Sequence, residues 1–245
     1  MRQRIGRAAG VIAVLALLGL AGLGQPARSG AEDPSPSTSG TIVVEDWGTQ
    51  PMGHVGVPVG WEKQSWSRGQ CDLRIEKLVG PAGVRPVLHM VSDGDNCTIS
   101  KRVKKIDIRE YPILRWRWRA VRLPTGGDAR QAGTDDQAAQ LYLAFPRFPA
   151  AVRSRIIGYV WDSTAPAGGV FTSASTRLVT YVVVRSGPGE LDRWITERRN
   201  VREDFLRIYG EEPAEQVEAV TIAIDSNDTG SRAESFMGEI VFGRQ

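Results

Sequence analysis

Three arginines in one short segment carry the most evident chemistry in this sequence. The segment Pro112 to Arg119 reads PILRWRWR, and arginine occupies every second position from Arg115 onward. In a β-strand this alternation places the guanidinium groups on one face and the intervening apolar side chains on the other. Guanidinium groups about 6.5–7 Å apart along a strand suit bidentate recognition of carboxylate or phosphate. The segment therefore predicts a buried tryptophan face and an anion-binding face.

We call Arg115, Arg117 and Arg119 the arginine ladder. Arg115 and Arg117, together with Arg185 on a second predicted strand, are the candidates for holding anionic groups of a ligand. The alternative is that carboxylates of the chain itself neutralise these cations. The carboxylates available for this are Asp135, Asp136, Glu197 and Glu239. If the arginines are neutralised in this way, the face has a structural role; if they are free, it can bind a ligand.

Carboxylates and aromatic rings supply the other candidate binding residues. Asp136 and Glu197 would accept hydrogen bonds from sugar hydroxyl groups, and Trp161 would stack on a sugar ring. Trp161 stands where a predicted strand runs into the Pro- and Gly-containing loop 165–169, and such loops often carry sites. Further aromatic candidates are Tyr142, Tyr159 and Trp194. Aromatic residues on strands commonly belong to the core, and burial is the alternative for each of them.

Catalytic and metal chemistry find little support in the sequence. With His54 and His89 as its two histidines, the chain cannot form a three-histidine zinc site. Nucleophile-elbow, phosphate-loop, zinc-protease and dinucleotide-binding motifs are also absent from the sequence. We predict no catalytic residue, no metal ligand and no cofactor. A structural calcium ion at the loop 225–230 remains an alternative to a turn braced by Asx side chains.

The first 31 residues have the pattern of a secretory signal peptide. Arg2, Arg4 and Arg7 precede an uncharged Ala- and Leu-rich stretch, and Ser29-Gly30-Ala31 is a small-residue cleavage site. An uncleaved membrane anchor is the alternative, although the apolar stretch is shorter than the roughly 20 residues that span a bilayer. We expect cleavage, no membrane-spanning segment afterwards, and a periplasmic or secreted protein.

Removing the signal peptide changes the charge of the chain. Four of its 31 lysines and arginines precede residue 32, so 27 remain against 28 acidic residues, and the net charge falls from +3 to −1. A near-neutral protein gives no support to nucleic-acid binding, and any basic patch must be local. The remaining 214 residues suit one domain, at 41–245, after a Pro- and Ser-rich leader at 32–40 that we expect to be disordered.

Two cysteines, Cys71 and Cys97, lie in the part of the chain that we expect to be exported. In an oxidising compartment the simplest state for such a pair is one disulfide bond. Two buried thiols are the alternative, because a sequence does not show how closely two Cα atoms approach.

The rest of the sequence predicts an all-β protein. About ten short segments are rich in β-branched and aromatic residues and are separated by Gly, Pro, Asn and Asp. One helix is predicted near 200–209, where Asn200 and Glu203 form a capping box and Gly210 ends the helix. Ten strands and one short helix predict a two-sheet β-sandwich of the jelly-roll type.

Several strings together resemble a bacterial family catalogued as domain of unknown function 3047. The resemblance runs from about residue 56 to residue 242 and departs from the family's usual pattern at 95–98. Its ending more loosely resembles the last strands of galactose-binding-like jelly-roll modules. The strings are PILRWRWR at 112–119, Asp135-Asp136 with Ala138-Ala139, Tyr159-Val160-Trp161, VVVRSG at 182–187, the pattern WxxExRNVxxDF at 194–205, GEEP at 210–213, IDSNDTG at 224–230, Ala233 and Gly238-Glu239-Ile240.

The resemblance implies an exported domain and supplies no activity. We expect a non-catalytic envelope module that binds a glycan or an anionic saccharide on the outer face of one sheet. One alternative is an enzyme acting on a polysaccharide, with Asp136 and Glu197 as paired carboxylates. The other is an envelope assembly protein that docks a partner through a sheet face. The sequence leaves the oligomeric state open.

Overall fold

A computed structural model describes residues 40–245 of the chain, apart from 68, 70, 81 and 82. The predicted signal peptide at 1–31 lies outside the described residues, as does the predicted leader at 32–40 except for its last residue. The described part forms two mainly antiparallel β-sheets that lie face to face.

The first sheet has six strands, in the order β11-β6-β13-β4-β3 with β1 also paired to β13. Its strands are β1 (Thr41–Glu45), β3 (Asp72–Gly80), β4 (Gly83–Asp93), β6 (Ile113–Arg122), β11 (Ile195–Asn200) and β13 (Arg232–Gly243).

The second sheet has seven strands, in the order β2-β5-β12-β7-β8-β10-β9, and β8 and β10 run parallel. Its strands are β2 (Glu62–Lys63), β5 (Asn96–Ile106), β7 (Ala139–Phe145), β8 (Arg155–Asp162), β9 (Val170–Thr172), β10 (Val179–Ser186) and β12 (Val217–Asp225). The chain crosses repeatedly from one sheet to the other, as a jelly roll does. The predicted all-β sandwich is confirmed, with thirteen strands in the described residues where about ten were expected.

The strand that carries the arginine ladder behaves as its alternation predicts. Leu114, Trp116 and Trp118 on β6 are fully buried between the sheets, and the arginines between them face outward. The Trp116 ring lies 5.3 Å from that of Trp118 and 5.2 Å from that of Tyr159 on the opposite sheet. These aromatic contacts fix the orientation of β6, so the outward direction of the arginines follows from core packing.

The predicted helix is confirmed as α2 (Val201–Tyr209), while a second short helix, α1 (Ala150–Arg153), was not expected. The Asn200 side chain accepts a hydrogen bond from the Glu203 amide, and Glu203 accepts one from the Asn200 side-chain amide. Gly210 ends the helix in the left-handed region, at φ 69°. Phe205 then anchors α2 in the core against Phe145 of the second sheet.

The predicted disulfide is also confirmed. Cys71 lies just before β3 of the first sheet and Cys97 lies on β5 of the second, with their Cα atoms 5.1 Å apart. The bond therefore joins the two layers of the sandwich covalently, at the end where the β4–β5 turn crosses between them.

Candidate functional site

A groove on the outer face of the first sheet forms where β13 changes partners. Residues 232–237 of β13 pair with β4, and residues 240–243 pair with β1. Both partners lie on the same side of β13, so the sheet is interrupted between them at Gly238 and Glu239. Trp47 supports this point from beneath, because its indole N–H donates to the Gly238 carbonyl at 2.8 Å.

We call this opening the outer-face groove. Its volume is about 530 Å³, which lies within the range of pockets that bind small molecules. One wall comes from the β3–β4 hairpin, the other from the turn after β1, and the floor from β6, β13 and the approach to β11. The lining residues are Asp46, Gly48, Leu78, Val79, Gly83, Arg85, Pro86, Val87, Arg117, Arg119, Trp194, Gly238 and Glu239.

Arg117 and Trp194 form the central contact of the groove. The guanidinium carbon of Arg117 lies 5.3 Å from the centre of the Trp194 ring, a cation–π geometry. Gly238 permits this arrangement, because a Cβ atom there would lie 3.1 Å from the Arg117 Cβ and 3.4 Å from Cζ3 of Trp194. The result is a half-buried indole beside a cation, with space above the glycine.

Three other charged side chains of the groove, Arg85, Arg119 and Glu239, are already paired. Arg119 donates to the Asp192 carboxylate at 2.8 Å, and its guanidinium carbon lies 5.3 Å from the Phe236 ring centre. Glu239 and Arg85 approach to 3.4 Å near the rim, and both side chains remain about half exposed. The groove thus offers an aromatic ring, apolar walls and groups of both charges.

A smaller pocket of about 180 Å³ adjoins the groove. It shares Arg117 and Glu239 with the groove and adds Arg115 on β6 and the side chains of Thr41 and Thr196. The two predicted anion-binding residues on β6 therefore do lie together, on an accessible face. Within the described part of the chain, neither forms an ion pair or hydrogen bond with a carboxylate, so the ladder is not neutralised by Asp135, Asp136, Glu197 or Glu239.

Arg185 and Glu197 do not belong to this face. Arg185 lies on β10 and reaches across to β11, where its Nε donates to the Glu197 carboxylate at 2.8 Å. Its Nη1 donates to Glu190 at 2.6 Å, and the Trp118 indole also donates to Glu197, at 3.1 Å. This ion pair links the two sheets and favours a structural role for both residues. That they contact a ligand stays a prediction.

Trp161 lies at the end of β8, where the sequence predicts it, but its side chain is buried. Its ring is 1% exposed, lies 6.0 Å from that of Trp118, and donates a hydrogen bond to the Gly187 carbonyl. Stacking on a sugar requires an open ring face, and Trp161 has none. Of the four aromatic candidates, Trp194 is the one that lines the groove; the signal for it is its position directly before a strand that pairs with β6.

Asp136 is fully buried at one end of the second sheet. Its carboxylate accepts hydrogen bonds from the backbone amides of Asp228 and Thr229, so it braces the loop before β13. Asp136 and Glu197 thus have separate sets of partners, and the paired-carboxylate arrangement of the enzyme alternative is not formed by these residues.

A buried acid next to Asp136 has an altered pKa. Burial raises the pKa of Asp135 to about 7, while hydrogen bonds from Gln137 and Tyr181 act in the opposite direction. Desolvation, and next the nearby Asp136 carboxylate, likewise raise the pKa of Asp225 well above its ordinary value. Asp135 is 5% exposed with both oxygens hydrogen-bonded, so it ties the loop before β7 to β10.

The Asp225 side chain ties the loop 225–230 to the start of β7. The Asp225 side chain accepts from the backbone amide of Gln137 at 2.7 Å and from the side chain of Gln140 at 2.6 Å. Across the described residues, no three His, Cys, Asp or Glu side chains are grouped so that they could hold a metal ion. In the same part of the chain, no helix has both the length and the apolar character needed to cross a membrane.

Fold and groove together define a two-sheet β-sandwich domain with an open groove on the outer face of one sheet. Residues 60–241 match the family model described as Protein of unknown function (DUF3047). The chain belongs to this family, as the strings in its sequence indicated. No curated protein matches the chain.

Solved structures give distant likenesses. One is the family 11 carbohydrate-binding module of the cellulosomal cellulase Lic26A-Cel5E of Clostridium thermocellum, with a TM-score of 0.42 and 10% identity over 84% of this chain and 95% of that one. Another is Trichoderma harzianum endoglucanase 3 from family GH12, with a TM-score of 0.40 and 8% identity over 85% and 98% of the two chains. At these scores we infer no function from them.

Proposed function

We propose that this protein is a non-catalytic saccharide-binding module and that the outer-face groove binds the saccharide. The observation that carries the proposal is the open groove built around Trp194 and Arg117. A half-buried indole offers a flat apolar surface to a sugar ring, and the paired but exposed Arg85 and Glu239 offer a donor and an acceptor to its hydroxyl groups. The distant fold likenesses are not needed for this proposal.

Retardation in polysaccharide-containing gels tests the proposal. The protein without residues 1–31 is run through gels that contain mixed-linked β-glucan, xylan, galactan or polygalacturonate. We expect at least one polysaccharide to retard it, and Trp194→Ala to weaken that binding about tenfold, because stacking on an aromatic ring is lost.

Phe148→Ala is the matched control, because Phe148 is 89% exposed and lies after β7, outside the groove. It should leave the retardation unchanged. Failure of every polysaccharide to retard the protein would overturn the proposal, and so would equal effects of the two substitutions.

Export to the periplasm or the medium is part of the same proposal. The predicted signal peptide supports it, and the Cys71–Cys97 disulfide is a bond that persists in oxidising compartments. Expression of the full chain in a bacterium, followed by mass spectrometry, tests it. A product that begins near residue 32 in the periplasmic or secreted fraction is expected; an uncleaved chain in the membrane fraction would overturn it.

A further inference from the structure

We propose that Arg115, Arg117 and Arg198 form an anion-binding cluster on the first sheet, so that the saccharide bound beside it carries carboxylate groups. The inference rests on the proposed function and names the class of saccharide: a uronate-containing chain. Arg198 is the member that the sequence reading did not include.

The register of β6 and β11 brings the cluster together. Arg115 lies directly opposite Arg198, and Arg117 lies directly opposite Thr196. Residues opposite each other in an antiparallel pair have Cβ atoms about 4.5–5.5 Å apart. The neighbours Trp116 and Glu197 point into the core, so Arg115 and Arg198 project together from the outer face.

Two cations directly opposite each other repel and destabilise the pairing of their strands. The chain neutralises nearby arginines: Arg119 is paired with Asp192, Arg185 with Glu197, and Arg199 with Asp204. In the described part of the molecule, the three guanidinium groups of the cluster have no such carboxylate partner. Arginines that face each other without a carboxylate partner favour the binding of an anionic ligand.

The smaller pocket supplies room for the anion. Its 180 Å³ accommodates a carboxylate group, which the guanidinium groups of Arg115 and Arg117 can bind in bidentate fashion. The hydroxyl groups of Thr41 and Thr196 at its edge are additional donors. The pocket and the groove adjoin each other at Arg117. One sugar unit can therefore place its ring near Trp194 while the next unit places its carboxylate in the pocket.

Glu239 favours a ligand that carries hydroxyl groups beside its anionic groups. It lies on the border of both pockets, where it repels anions but accepts hydrogen bonds from hydroxyl groups. A uronate chain presents hydroxyl groups and carboxylates side by side and matches this mixture. A DNA strand presents phosphates without free hydroxyl groups beside them and does not match it.

The test compares acidic saccharides with neutral forms of the same chains. Polygalacturonate, alginate and hyaluronate are each used as such and after chemical reduction of their carboxylates to alcohols, and affinities are measured by titration calorimetry. Wild-type protein should bind at least one acidic polymer about tenfold more tightly than its reduced form, which corresponds to loss of a charge-assisted contact.

Arg115→Gln/Arg198→Gln should abolish this preference and leave binding of the reduced polymer unchanged. Arg177→Gln is the control: it removes an exposed arginine from the loop before β10 and should leave the preference intact. Because the double variant relieves like-charge repulsion, its melting temperature should equal or exceed that of wild type. Loss of binding is then not explained by loss of folding.

Three results would overturn the inference. They are equal affinity for acidic and reduced polymers, an equal effect of Arg177→Gln, and binding of a single-stranded DNA of the same charge as tightly as the uronate. In each case, binding of an uncharged polymer that depends on Trp194 would still support the proposed function. Absence of binding to every polymer, acidic or neutral, would overturn both.

Discussion

At the scale of single residues, the arginines of this protein divide by what surrounds them. Arg185 has two carboxylates within 2.8 Å, and its partner Glu197 is almost wholly buried. Removing Arg185 would leave the buried Glu197 carboxylate without its cation. Arg115 and Arg198 face solvent on the same side of one sheet, and Arg115 lines a pocket with space for a ligand. Identical side chains thus have a structural role in one place and a proposed binding role in the other.

Asp135 gives the sharpest prediction at this scale. Its pKa is about 7 in the folded protein, against an ordinary value of 3.8. Between these values the folded protein binds more protons than the unfolded one, so its stability falls as pH rises from about 4 to about 7. Asp135→Asn should remove the part of this pH-dependent loss of stability that Asp135 causes, which is on the order of 4 kcal/mol. Urea unfolding at five pH values between 4 and 8 measures it.

The control is Asp72→Asn, which changes an exposed carboxyl on β3. That variant should keep the pH dependence of wild type. If the stability of the Asp135→Asn protein changes with pH as that of wild type does, Asp135 does not cause the pH dependence.

At the scale of elements, residues close in sequence determine where α2 begins and ends. The groove is determined instead by which strands pair with β13. The Asn200 and Glu203 side chains close the start of the helix within four residues, and no distant residue is needed for that. The groove depends instead on the point where β13 stops pairing with β4 and begins to pair with β1. The strands β1 and β13 come from opposite ends of the described sequence. A hydrophobic pattern does not specify which strand takes the next position in a sheet.

The helix cap yields a second prediction. Asn200→Ala should lower the free energy of unfolding by about 1 kcal/mol, because the amide of Glu203 loses its acceptor. Asn227→Ala, in an exposed turn, should change it by less than about 0.5 kcal/mol. Denaturant unfolding followed by circular dichroism distinguishes the two; equal values would argue against a capping role.

At the scale of the whole molecule, an ion pair and a disulfide bond are among the links that join the two sheets besides the apolar core. The Arg185–Glu197 pair joins β10 to β11, and the Cys71–Cys97 bond joins the start of β3 to β5. Both hold the first sheet in place, and the proposed binding face is the outer side of that sheet.

The disulfide carries the third prediction. It closes a loop of 26 residues, and the chain-entropy relation gives about 3 kcal/mol for such a loop. Cys71→Ser/Cys97→Ser should therefore unfold at a clearly lower denaturant concentration than the oxidised protein. Reductant should lower the midpoint of wild type toward that of the variant and leave the variant unchanged. A reductant effect on the variant would show that the loss comes from elsewhere.

The sequence by itself determined which residues of the Trp/Arg strand are buried, where the helix begins and ends, and that the fold is an all-β sandwich. These follow from periodicity and capping, which act over a few residues. It did not determine that Trp161 is enclosed, that Arg185 meets Glu197, or that Arg198 stands opposite Arg115. Only the tertiary structure decided these, because burial and charge pairing depend on the register of strands far apart in the chain. The proposed site is formed by such strand pairings, so its location follows from the tertiary structure and not from the sequence.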